Sequence, residues 1–167
     1  MKRVLVIGNC GSGKSTFSKK LAERTGLPLL HLDQYYYKPD WKETAPEVWK
    51  TKVETLCQKN QWIIDGNYGG TLDLRLQYAD TIIFLNQNTL TCLWHITKRI
   101  LKYYNTVRPD MAKDCKERFD WNFYKYVARF NKTRRPALLE KLKRCEHDKT
   151  FLIFSNESEM SAFLKSL

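Results

Sequence analysis

The sequence predicts an α/β domain whose parallel sheet is covered by helices on both faces. Three observations point to it. Five short apolar runs occur, at Arg3-Val4-Leu5-Val6-Ile7, Leu29-Leu30-His31-Leu32, Trp62-Ile63-Ile64-Asp65, Thr81-Ile82-Ile83-Phe84-Leu85 and Phe151-Leu152-Ile153-Phe154. They alternate with stretches whose apolar residues recur at helical spacing. The first run leads directly into Gly8-Asn9-Cys10-Gly11-Ser12-Gly13-Lys14-Ser15, the G-x-x-x-x-G-K-S pattern of a phosphate-binding loop. Strands that are apolar without alternation bury both faces, which is the habit of a parallel sheet between helical layers. The expected architecture is therefore a three-layer αβα P-loop NTPase.

The elements follow in order. After the loop, Phe17, Leu21 and Ala22 mark a helix ending at Gly26, a residue suited to the left-handed cap. The second strand spans Leu27 to Asp33 and is followed by an aromatic-rich loop with Tyr35, Tyr36, Tyr37 and Trp41. Thr44-Ala45-Pro46-Glu47 has capping-box spacing, and Trp49, Val53, Leu56 and Cys57 give the next helix one apolar face. The third strand ends in Gly66-Asn67-Tyr68-Gly69-Gly70, and a short helix around Asp73 to Gln77 leads to the fourth. Leu93, Ile96, Ile100 and Leu101 mark a long helix, residues 105–118 lack a period, and Phe119 to Phe130 reads as helix again. Pro136 opens a further helix through Leu138, Leu139 and Leu142. Met160, Phe163 and Leu164 face the closing one.

Composition bounds the function. The 167 residues are 43% apolar, enough for a packed core in one domain over 1–167. No apolar run approaches the ~20 residues of a membrane helix. Met1-Lys2-Arg3 leads straight into a strand, which predicts no export signal. Cys10, Cys57, Cys92, Cys115 and Cys145 are odd in number and lack a C-x-x-C pair, which fits a reducing, cytoplasmic location without a zinc site. The net charge of +11 is uneven: residues 98–149 hold 16 Lys and Arg against 7 Asp and Glu. That basic segment suits the phosphates of a nucleotide or the backbone of a nucleic acid.

In such sheets, ligands bind beyond the carboxyl ends of the strands. Gly8, Asn9, Cys10, Gly11, Ser12 and Gly13 would turn backbone N–H groups around phosphate oxygens, and Lys14 would place its charge on the terminal phosphates. Ser15, followed by Thr16 at the helix start, would ligate Mg²⁺. Cys10 is either a thiol activated by the local field or only a small loop residue. Strand alternation sends His31 and Asp33 to the same face. Asp33 is then a base for an acceptor hydroxyl or a substrate anchor, unless it merely caps a turn, and His31 shapes the site. Asp65, directly after two isoleucines, matches the carboxylate that holds Mg²⁺ or its waters opposite the loop serine. Asn67 and Tyr68 would face an acceptor, and Arg75 would clamp an anionic group on it or else form a surface ion pair. Arg99, Arg129, Arg134 and Arg135 flank the irregular segment, so a lid over approximately 103–135 would bring one or two of them, Arg134 and Arg135 foremost, onto the phosphates.

Gly8–Ser15, His31-Leu32-Asp33, Asp65-Gly66-Asn67-Tyr68, Thr71-Leu72-Asp73-Leu74-Arg75, Arg108-Pro109-Asp110-Met111 and Phe119-Asp120-Trp121 together resemble the bacterial DNA topology modulation proteins. That family is similar to adenylate and shikimate kinases, and the likeness runs essentially end to end. The resemblance implies five parallel strands in the order 2-3-1-4-5, with the lid inserted between strands four and five. Adenylate kinases end their third strand in Asp-Gly-Phe-Pro-Arg, the arginine contacting a nucleoside monophosphate. Here Asn67 and Tyr68 replace Phe-Pro and no arginine follows. The expectation is an ATP- and Mg²⁺-dependent kinase acting on a small hydroxyl or phosphate acceptor. Two alternatives stand beside it: a nucleic-acid-binding protein using the basic 98–149 segment, and an ATP-dependent switch with little catalysis.

Overall fold

The computed structural model describes residues 1–144 and 148–167; Cys145 lies outside the described residues. Five parallel strands form the sheet: β1 (Arg3–Gly8), β2 (Leu29–His31), β3 (Trp62–Asp65), β4 (Thr81–Leu85) and β5 (Thr150–Phe154). Their spatial order is β2-β3-β1-β4-β5, the 2-3-1-4-5 arrangement expected. β1 is central, pairing Val6 with Asp65 on one side and with Ile83 on the other.

Period-two alternation explains why these strands read as continuous apolar runs. Leu5, Ile7, Ile64, Ile82 and Phe84 point to one face, where Trp49, Val53, Leu72, Leu76 and Leu142 cover them. Val4, Val6, Ile63, Ile83 and Leu85 point to the other, against Phe17, Leu21, Met160 and Leu164. The covering helices are α1 (Lys14–Thr25), α3 (Pro46–Cys57), α4 (Leu72–Tyr78), α7 (Arg135–Arg144) and α8 (Glu157–Lys165). Between α1 and α3 lies the five-residue α2 (Leu32–Tyr36). The helices α5 (Thr89–Tyr103) and α6 (Trp121–Thr133) pack on each other through Cys92, Ile96 and Val127. Asn88 caps α5 and Asp120 caps α6 by accepting first-turn N–H groups. Among the described residues, no helix is long and apolar enough to cross a membrane.

Three local expectations change. Leu32 opens α2 instead of ending the strand, so Asp33 sits on a helical turn and strand alternation does not orient it. The Thr44 capping box does not form: Ala45 is the N-cap, while the Thr44 hydroxyl donates to the Tyr36 carbonyl. Part of the aromatic loop is a two-stranded hairpin, Tyr37–Lys38 with Lys42–Glu43.

Candidate functional site

The loop Gly8–Ser15 lies between β1 and α1 and needs its glycines for two reasons. Gly11 has φ +78° and is so close to α5 that a Cβ there would sit 2.3 Å from the Cys92 carbonyl oxygen. Gly13, the N-cap of α1, has φ +89° and faces open space. The loop is tied in place from three sides. Gly8 N–H donates to Asn67 Oδ1 (3.2 Å), Asn9 Nδ2 donates to the Val127 carbonyl of α6 (3.0 Å), and His95 Nδ1 donates to the Gly11 carbonyl (2.8 Å). Lys14 Nζ donates to the carbonyls of Gly8 (3.0 Å) and Asn9 (2.8 Å), so its ammonium is held over the loop.

A cleft of about 1760 Å³ opens beside this loop. Cys10 to Thr16, Asp33, Asp65, Asn67, Tyr68, Arg99 and Arg134 all line it. Gly8 and Asn9 do not: they are buried beneath the loop, Asn9 serving as its tie to α6. Burial pushes the Cys10 thiol up, and this outweighs the opposing pull of Lys14, so the environment does not activate it as a thiolate.

The acidic end of the cleft comes from β2, α2 and β3. Asp65 Oδ1 accepts a 2.9 Å hydrogen bond from His31 Nδ1. Burial acts to lower His31, but the bond and the charge of Asp65 win and raise it. Asp33 accepts a 2.6 Å bond from the Tyr68 hydroxyl. Burial raises the Asp33 carboxyl above the usual range, and the Asp65 charge adds to this. Tyr68 is pushed up too, chiefly by burial and by Asp33.

Three anticipated arginines do not reach the cleft. Arg75 is fully buried on α4, and its guanidinium donates to the carbonyls of Gly66 (2.8 Å), Tyr68 (2.9 Å), Thr71 (3.3 Å) and Asn67. It braces the loop after β3 from behind and is available neither as an acceptor clamp nor as a surface ion pair. Burial pulls its pKa down to about 10. Arg135 turns instead to Asn86 at the end of β4, with Nε donating to Oδ1 at 2.7 Å. Arg129 is exposed and does not line the cleft.

Sequence reasoning passed over Arg108, Asp110 and Glu117. The irregular arm between α5 and α6 carries all three. Arg108 pairs with Glu117 at 2.6 Å and with Asp110 at 3.1 Å, and Arg99 pairs with the same Glu117 at 3.2 Å. Burial acts to raise Asp110, but Arg108 and the neighbouring Ser15 hydroxyl hold it below the usual carboxylate range. The arm lies against the aromatic hairpin: Met111, Ala112 and Cys115 pack on Tyr37 and Trp41, and Gln34 Nε2 donates to the Pro109 carbonyl (2.9 Å). The motif Arg108-Pro109-Asp110 was the available signal, hidden in a stretch with no period to orient its side chains.

Ser15 and Asp65 fit Mg²⁺ on one observation of their own. Asp65 Oδ2 is buried at the cleft without a hydrogen-bond partner among the described residues, an oxygen suited to a cation or its water. No three His, Cys, Asp or Glu side chains converge among the described residues.

Sheet order, phosphate loop and carboxylate-lined cleft define the class: a P-loop kinase fold. Solved structures of that class superpose along nearly the whole chain. A shikimate kinase from Acinetobacter baumannii, solved with shikimate, matches with a TM-score of 0.61 at 15% identity over 99% of this chain and 90% of that one. A shikimate kinase from Bacteroides thetaiotaomicron gives 0.57 at 13% identity, over 99% and 95%. A deoxyadenosine kinase from M. mycoides with bound dCTP gives 0.50 at 15% identity, over 98% and 96%. No protein-family model matches the sequence, and a search of curated proteins finds no match.

Proposed function

We propose that this protein transfers the γ-phosphoryl group of ATP to a hydroxyl of a small molecule. One observation carries the reading: Lys14 of the phosphate loop and the carboxylates Asp33 and Asp65 line one cleft. Asp33 takes the proton of the acceptor hydroxyl as its oxygen attacks the γ-phosphorus, and the bond to the β–γ bridging oxygen breaks to release ADP. The raised pKa of Asp33 suits a base that must hold this proton. Lys14, Arg99 and Arg134 stabilise charge on the phosphoryl oxygens, and Arg108 joins them from the irregular arm. Ser15 and Asp65 would hold Mg²⁺, which neutralises the phosphates when bound. The likeness of the strand-end motifs to DNA topology modulation proteins agrees with a kinase-like site but not with any particular acceptor.

Mg-ATP binding and acceptor-stimulated ADP release test the reading. Lys14→Ala removes a charged donor from the phosphates, so ATP affinity should fall by at least ~10-fold. Unchanged ATP binding by that variant would sink the site assignment.

A second reading has its own observation. Exposed Trp94 and Trp121 each carry a lysine over the ring, Lys98 at 4.7 Å and Lys125 at 5.8 Å. Such a surface suits stacked bases of single-stranded nucleic acid. Affinity through it would fall with salt at a log–log slope of about −0.7 per phosphate contact, and a flat response would discard it.

A further inference from the structure

We infer that the acceptor is a ring-bearing alcohol without any anionic group, uncharged or carrying an amine. This rests on the phosphotransfer reading above and names the class of compound the same site would take.

The wall that faces an acceptor is made by β2, α2, the hairpin and the loop after β3. The acidic groups it turns to the cleft are Asp33, Glu43 and Asp65, and its histidine, His31, is already bound to Asp65. Among the described residues, no lysine or arginine between positions 29 and 74 lines the cleft. The next arginine in the chain, Arg75, spends its guanidinium on four backbone carbonyls and is fully buried. The cations that do line the cleft belong to the phosphate loop and α1, to α5, to the irregular arm, and to α7 with Arg134 just before it. Of these, Arg108 is already paired with Glu117 and Asp110, and Arg118 is held over the Trp41 ring at 5.8 Å. A carboxylate or phosphate on the acceptor would therefore approach like charges within ~4–6 Å, a separation at which they disfavour one another. It would also raise the Asp33 carboxyl further, against its use as a base.

The same wall offers ring faces. Tyr37, Trp41 and Tyr68 line the cleft and are half-buried. Tyr37 and Trp41 meet edge to face at 5.2 Å, and Tyr36 supports Tyr68 at 4.7 Å. Aromatic faces of this kind take a planar base, the C–H face of a sugar or an ammonium group. Carboxylates beside them accept hydroxyl and amine protons. An uncharged or amine-bearing ring alcohol satisfies every group on the wall, and an acid satisfies none of the carboxylates.

A protein-free small-molecule cell extract, split on an anion-exchange resin at about pH 7 into retained acids and unretained neutral and basic compounds, provides the test. Each pool is incubated with γ-labelled ATP, Mg²⁺ and the protein, with Lys14→Ala as the blank. Label transferred to new organic products is counted, and ATP binding is measured separately. The unretained pool should give at least ~10-fold more Lys14-dependent transfer than the retained pool. Transfer confined to the retained pool would overturn the acceptor class and leave the phosphotransfer reading standing. Transfer from neither pool by protein that binds ATP would overturn both.

Discussion

His31 and Asp65 meet at 2.9 Å across the ends of β2 and β3, and the bond occupies only one of the two carboxylate oxygens. The imidazole thus fixes the rotamer of Asp65 while leaving Oδ2 free at the cleft. His31 is raised above 6.5 because the Asp65 bond and charge overcome the opposing effect of burial. A group raised on folding adds stability that is complete below its unfolded pKa and disappears as pH climbs through the folded value. The unfolding free energy of the wild type from urea titrations should therefore fall from about pH 6 towards pH 8, by on the order of 1 kcal/mol, and His31→Gln should flatten that slope. Equal slopes for the two proteins would remove the pairing from the account.

Asp33 has the same sign of pH dependence, through a carboxylate. Burial raises it, so its ionised form opposes folding, and this cost grows as pH rises through the folded pKa. Asparagine keeps an oxygen for the Tyr68 hydroxyl and removes the charge. Asp33→Asn should stabilise the protein at neutral pH by on the order of 1 kcal/mol while abolishing acceptor-dependent ADP release. A variant both less stable and fully active would contradict the role and the electrostatics together.

How far the sequence reached depends on what each side chain answers to. The five sheet strands and the phosphate loop were legible because burial on two faces leaves a run of apolar residues, and because glycine is needed where Gly11 abuts Cys92. Asp33 lines the cleft for a reason other than strand alternation: the strand stops at His31, and a turn of α2 brings Asp33 there. Arg75 was misread because a cation at helical spacing gives no hint of which way it points, and here four carbonyls of a tight loop hold it inside. Arg108 and Glu117 were passed over because their partners lie in irregular backbone, where periodicity carries no information.

The buried guanidinium of Arg75 sets up a sharp contrast between two substitutions. Arg75→Ala leaves the carbonyls of Gly66, Asn67, Tyr68 and Thr71 without their donor, and the loss should be about 3 kcal/mol or more in denaturant unfolding. Lysine restores the charge but not the planar fork, so Arg75→Lys should recover less than half of it. Because Tyr68 and Asn67 ride on that loop and Asn67 also ties the phosphate loop at Gly8, acceptor KM should rise in both variants and ATP affinity should weaken with it. An acceptor clamp would behave differently, with normal stability and loss confined to the acceptor.

Two glycines of the phosphate loop separate close packing from backbone conformation. Both have positive φ, +78° at Gly11 and +89° at Gly13, so alanine at either incurs the left-handed penalty of about 1–2 kcal/mol. At Gly13 nothing lies within 4 Å of the added Cβ, and the penalty stands alone. At Gly11 the Cβ meets the Cys92 carbonyl oxygen at 2.3 Å and Ile96 Cγ2 at 2.9 Å, and α5 must give way. Gly11→Ala should then lower the thermal midpoint well beyond Gly13→Ala, since each further kcal/mol is worth about 2–4 °C in a chain of this length. It should also weaken ATP binding, because the displaced loop loses its seat on α5 and the His95 bond to the Gly11 carbonyl. Matching midpoints for the two variants would mean that the loop is not clamped against α5 as the structure has it.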